Sequence, residues 1–227
     1  SAPPKAMILP HAGYIYSGPV AATGYARLSG SAGKISRVIL LGPTHRKAIR
    51  GLALPDATAF RTPLGTISLD TGVLQQLRQL PQVCTDDAAH RLEHSLEVHL
   101  PFLQQTLKDF TLVPILVGDA TASEVCAVIE QLWGGRETLL IVSSDLSHYH
   151  DYATATRLDQ ATSRAIEALA LEDIDHYDAC GCNPVSGLLL YARQHGLHIR
   201  TVDLRNSGDT AGPRDQVVGY GAYVLSE

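Results

Sequence analysis

Apolar and polar positions fall into two kinds of run along this chain. Short apolar runs, "KAMIL", "RVILL", "GLAL", "FTLVPILV", "TLLIVSS", "HIRTVDL" and the closing "VVGYGAYVL", have the length and content of strands, several covered on both faces. Between them lie longer segments with apolar residues three and four apart: "PVAATGYARL", "DTGVLQQLRQL", "HSLEVHLPFLQQTL", "ASEVCAVIEQLW", "ATATRLDQATSRAIEAL" and "NPVSGLLLYARQH". These read as helices, with Asp70 and Ser123 placed as N-caps. The segment "FRTPLGTISLD" alternates around Pro-Leu-Gly and predicts a hairpin. Strands alternating with helices predict an α/β fold: a central mixed, mostly parallel sheet flanked by helices. No repeat, low-complexity tract or linker interrupts the pattern, so one domain is expected over residues 1–227.

Composition narrows the setting. The chain has 227 residues, 45% of them hydrophobic and 18% charged, enough to bury a sizeable core. The net charge is -5 and no lysine or arginine run stands out, which argues against a nucleic-acid or anionic-membrane surface. No apolar stretch approaches the roughly 20 residues that span a bilayer, and no signal peptide is evident at the start. A cytoplasmic protein acting on small molecules or peptides is expected. The opening Ser-Ala reads as a cloning scar, with a short native N-terminal segment missing before it. Four cysteines are too few for a disulfide scaffold, and a Cys180–Cys182 bridge would close a very small ring across one glycine. Reduced thiols are expected.

The candidate chemistry sits where strands end. "KAMIL" runs into "PHAGYIYSG", "RVILL" into "GPTHR" and "TLLIVSS" into "DLSHYH", so three strands deliver His11, His45 and His148. Ligands of open α/β sheets bind beyond the carboxyl ends of strands, which makes the three histidines a candidate metal or acid–base site. His11 and His45 could share a divalent ion, which would need a third ligand. In "EHSLEVH", His94 and His99 are five apart, not the His-Glu-x-x-His of zinc proteases. His94 and Glu97 share a helical face there, either lining the pocket or forming a polar helix start. "CGC" is not half of a four-cysteine zinc module, and Ser143 and Ser144 lack a nucleophile elbow.

Eight blocks resemble the Memo family in order and across nearly the whole chain: "ILPHAGYIYSG", "LLGPTHR", "FRTPLG", "EHSLEVHLPFLQ", "PILVG", "VSSDLSHYHDY", "CGCNPVSGLLL" and "GYGAYVL". Prokaryotic members are usually called AmmeMemoRadiSam system protein B. The resemblance implies a fold like that of class III extradiol dioxygenases, which hold non-haem Fe(II) with two histidines and a glutamate. Carried over by position, it implies His11, His45 and Cys180 as metal ligands, with Cys182 at a variable position. It also implies His148 as an acid–base residue beside Asp145, which would hold its tautomer, and Tyr16 as an aromatic of the pocket, to which His94 is added as a substrate contact. The resemblance to the dioxygenases puts Fe(II) first; a thiolate in place of a carboxylate favours Fe, Zn or Cu(I) over hard ions, so copper and zinc are the alternatives. The implied activity is that of a redox enzyme on a small, aromatic substrate. A zinc-dependent hydrolase and a non-catalytic peptide- or metal-binding module are the alternatives. The family name implies a functional link to radical SAM and AMMECR-type proteins.

Overall fold

The computed structural model describes residues 3–226, and the Ser1–Ala2 pair expected to be a cloning scar lies outside the described residues. These described residues form eleven strands: β1 (Ala6–Leu9), β2 (Arg37–Pro43), β3 (Leu52–Leu54), β4 (Ala59–Thr62), β5 (Gly65–Ser68), β6 (Val83–Thr85), β7 (Thr111–Val117), β8 (Thr138–Ser143), β9 (His148–His150), β10 (His198–Asn206) and β11 (Val217–Ser226). Seven α-helices accompany them among the described residues: α1 (Tyr14–Tyr25), α2 (Thr71–Leu77), α3 (Asp87–Arg91), α4 (His99–Thr106), α5 (Ala122–Leu132), α6 (Tyr152–Glu167) and α7 (Cys182–Gln194).

The main sheet runs β10-β11-β1-β8-β2-β7-β3-β6, with β9 paired to β11. Its four central strands, β1, β8, β2 and β7, are mutually parallel, whereas β11 and β10 on one side and β3 on the other join antiparallel. This is the expected mixed α/β sheet flanked by helices. The strand runs that lack alternation are those buried on both faces. Every residue of β8 is buried, as is all of β2 after Arg37. Ile39, Leu40, Leu41 and Ile141 are fully inaccessible, each contributing about 2 kcal/mol of apolar burial. Helices α5 and α7 pack on each other, with α7 reaching β8 and β2, while α1 and α6 pack on β10 and β11.

The local signals hold in part. Asp70 caps α2 by accepting from the Val73 N–H at 3.1 Å, and the predicted hairpin forms as β4–β5. The cap of α5 is Thr121 rather than Ser123: Thr121 and Glu124 form a reciprocal capping box, satisfying two terminal N–H groups where Ser123 would satisfy one. Helix α1 begins five residues before Pro19. The carbonyl that proline leaves without a donor is that of Ile15, which is exposed and can be hydrated. His94 and Glu97 precede α4 and share no helix face. Among the described residues no helix is long and apolar enough to cross a membrane.

The topology places the chemistry. Strand β8 lies between β1 and β2, with Leu9 opposite Ser143 and Leu41 opposite Val142. The segments after β1, β2 and β8 therefore leave the sheet side by side at one edge.

Candidate metal centre

His11 leaves the end of β1 with its side chain buried, and its backbone N–H donates to Asp145 Oδ1 at 2.8 Å. Its Nδ1 lies 2.6 Å from Ser143 Oγ, and its Nε2 lies 3.4 Å from Cys180 Sγ. Burial first, then repulsion from His45 and His94, holds the His11 imidazole well below its ordinary value, so the ring is neutral.

His45 is held by Glu93. One carboxylate oxygen accepts from His45 Nδ1 at 2.9 Å, and the other accepts from the His45 backbone N–H. Oε1 also accepts from the N–H groups of His94 and Ser95 at 2.9 and 3.0 Å. Burial pushes Glu93 upward, but the hydrogen bonds from His45 and Ser95 outweigh it and hold the carboxyl at about 2. An ionised carboxylate only accepts, so His45 carries a proton on Nδ1 and is left with Nε2 as its free ligand atom. The same carboxylate thus pins the segment that leads into α4 against the end of β2.

Cys180 is brought in by the loop before α7, which is stitched to the end of β8. The Cys180 N–H donates to the Asp145 carbonyl at 3.3 Å, the Gly181 N–H to Ser144 Oγ at 2.9 Å, and the Asp145 N–H to Cys180 Sγ at 3.3 Å. Gly181 is required by this approach: a Cβ there would fall 2.6 Å from the Ser143 carbonyl oxygen and 2.7 Å from Ser144 Cβ. Burial, then the nearby Asp145 carboxyl, pushes the Cys180 thiol up to about 12. Cys182 points elsewhere, with its buried Sγ 3.0 Å from His176 Nδ1.

Among the described residues two groups of ligand atoms result, the atoms of each within 4.8 Å of one another: His11, His45 and His94, and His11, Asp145 and Cys180. His11 belongs to both. The ring centroids of His11, His45 and His94 lie 5.0 to 5.6 Å apart. His45 and Cys180 fall in different groups, each joined to His11. Imidazole nitrogens on one side of His11, and a half-buried thiol with a buried carboxyl on the other, suit a divalent transition ion, whose charge would also bring the thiol to thiolate.

The other predicted residues fall around this cluster. His148 lies on β9, partly buried and close enough to be an electrostatic neighbour of both His11 and Asp145. Among the described residues Asp145 makes no hydrogen bond to His148; its carboxyl is engaged by the His11 N–H instead, and burial raises its pKa. The residue after His148, Tyr149, has φ of 62°, a left-handed conformation uncommon for an aromatic residue. Tyr16 is exposed on the first turn of α1, near enough to buried Tyr220 to act on its phenol after burial and Asp145. His94 joins the imidazole cluster itself. Beneath these residues lie Glu93 and Tyr25, which no sequence signal marks, and His99 and Ser143, which the sequence offers only as a zinc-protease histidine and a hydrolase serine that lack their motifs. Glu93 and His99 lie in or beside "EHSLEVH", but no spacing marks which histidines face the sheet edge.

The Memo-like protein family model matches residues 1–224. A MEMO1 family protein of Saccharolobus solfataricus is 36% identical over 228 residues, covering 94% of this chain and 80% of that relative. One of Metallosphaera sedula is 33% identical over 235 residues, covering 97% of this chain and 82% of the relative. The crystal structure of an uncharacterized protein from Escherichia coli superposes with a TM-score of 0.58 at 14% identity, covering 96% of this chain and 98% of that one, a likeness of fold alone. A match over almost the whole length, reinforced by relatives at one third identity, shows that this chain belongs to the Memo family.

Proposed function

We propose that this chain is a metal-dependent redox enzyme whose ion is held by His11, His45 and Cys180, with Fe(II) first and copper as the alternative; zinc, which has no redox chemistry, would fit a hydrolase instead. The observation that carries the reading is the approach of His11 Nε2 to Cys180 Sγ at 3.4 Å, while ligand atoms of His11 and His45 also lie within 4.8 Å of each other. A bound transition ion of this kind would supply Lewis acidity and electron transfer to a coordinated substrate.

The chain's own residues do the rest. Ser143 and Glu93 hold the two imidazoles by their Nδ1 atoms, and the loop of Cys180 is fixed to β8 by backbone hydrogen bonds. His148 takes a proton from an acidic substrate group and returns it, work that suits an imidazole near neutral pH. Asp145 anchors the His11 backbone and sets its second carboxyl oxygen 3.9 Å from His11 Nε2. Tyr16 and His94 border the substrate side, which favours a small aromatic molecule. A functional link to radical SAM and AMMECR-type proteins would place the reaction beside theirs.

Anaerobic purification with metal analysis, followed by oxygen consumption over a panel of diphenols, tests the reading. Metal near one per chain and uptake with at least one diphenol are expected. Bound metal with no uptake for any diphenol counts against oxidative chemistry.

A further inference from the structure

The Ser143 hydroxyl is fully buried at the end of β8 and meets three partners. The Ser95 carbonyl oxygen lies at 2.7 Å, His11 Nδ1 at 2.6 Å and His99 Nε2 at 2.9 Å. A hydroxyl has one proton and two lone pairs, whereas a carbonyl oxygen only accepts. The single proton therefore goes to Ser95, and both imidazoles must donate. The count closes on the far side of His99, whose Nδ1 keeps its lone pair and accepts from the Tyr25 hydroxyl at 2.9 Å. Burial, then the charge of His11, holds His99 down at about 3, so this ring is neutral and has one N–H to give. Ser95 and His99 are as inaccessible as Ser143, and Tyr25 is buried too, so water does not replace them as partners.

We infer that Ser143 is a positioning residue: held by the Ser95 carbonyl on one side and the Tyr25–His99 pair on the other, it fixes His11 as the Nδ1–H tautomer and frees Nε2 for metal. The inference rests on the reading of His11 as a metal ligand. Carboxylates and carbonyls, the usual outer partners of metal-binding histidines, only accept and so set the tautomer by themselves. His45 has such a partner in Glu93. A hydroxyl is ambivalent: it could donate to Nδ1 and leave the ring proton on Nε2, where it would block coordination. The Ser95 carbonyl removes that choice by taking the only hydroxyl proton, and His99 fills the remaining lone pair.

Long-range proton–nitrogen correlation spectra of metal-free, ¹⁵N-histidine-labelled protein test this, together with zinc affinity by chelator competition. In the wild type His11 should be protonated on Nδ1 and His99 on Nε2. Ser143→Ala should move His11 toward the Nε2–H form and weaken zinc binding by about 10- to 100-fold. His99→Gln, whose amide N–H can replace the lost donor, should keep the wild-type His11 tautomer and near wild-type zinc affinity. His11 protonated on Nε2 in the wild type, or Ser143→Ala with an unchanged tautomer, would overturn the inference. Should Ser143→Ala fail to fold, the wild-type tautomers of His11 and His99 decide it alone. If those tautomers are found but His11→Ala binds zinc as tightly as the wild type, the ligand reading fails and the lock on the ring stands.

Discussion

His11 Nε2 lies 3.4 Å from Cys180 Sγ, although 169 positions of chain separate the two residues. The contact is a product of topology. Strand β8 runs between β1 and β2, its last residues receive the loop of Cys180, and that loop can come so close only because position 181 is glycine.

The two neighbouring cysteines should differ sharply. Cys180→Ser should lose most of its metal after dialysis against a weak chelator, whereas Cys182→Ser, whose sulfur faces His176, should retain it. Metal analysis of both variants checks this, and the reverse pattern would assign the wrong thiol.

Glu93 should matter for metal without touching it. Glu93→Gln keeps the shape but gives up the charged acceptor that orients His45, and metal affinity should fall by about 10- to 100-fold. Competition titration with zinc reads the change. An unaltered affinity would mean that His45 is oriented by something else.

Gly181→Ala should act on fold and site together. The added methyl meets the Ser143 carbonyl and Ser144 at distances that real side chains do not occupy. A stability loss of about 1–3 kcal/mol is expected from overpacking, accompanied by weaker metal binding as the Cys180 loop moves off β8. Urea denaturation and zinc titration of one preparation should show both effects.

How far these features could be read beforehand depends on whether they are local. The central strands were legible because burial on both faces leaves unbroken apolar runs, as in "RVILL" and "TLLIVSS". His11, His45 and the segment of Asp145 were legible because each directly follows such a run. Cys180 depended on family resemblance, since nothing local distinguishes it from Cys182. The clustering of His94 with His11 and His45, and the burial of His99 against Ser143, depend on how the turn before α4 folds over the sheet. That turn is set by Glu93 reaching His45, a contact across 48 positions that no periodicity records. Short elements such as β6, α3 and β9 carry too few residues for a pattern.

The stability of the fold should carry a signature of Asp159. Burial holds this carboxyl up at about 6, against hydrogen bonding from the Ser147 N–H at 3.0 Å. Because its ordinary value is about 3.9, the folded chain keeps a proton that the unfolded chain releases between those values. The resulting stabilisation is fully present below about pH 4 and is lost as pH rises to about 6, by at most about 3 kcal/mol. Asp159→Asn, which can still accept from Ser147, should therefore gain on the wild type at pH 7 and not at pH 4. Chemical denaturation of both proteins across this range checks it, and parallel curves would refute it.

The central claim is that one ion is held by imidazole and thiolate together. X-ray absorption at the metal edge of anaerobically prepared protein tests it most directly. The predicted spectrum contains a single sulfur neighbour at about 2.3 Å beside nitrogen neighbours near 2.0–2.1 Å. Stoichiometric metal with a shell of nitrogen and oxygen alone would contradict the claim.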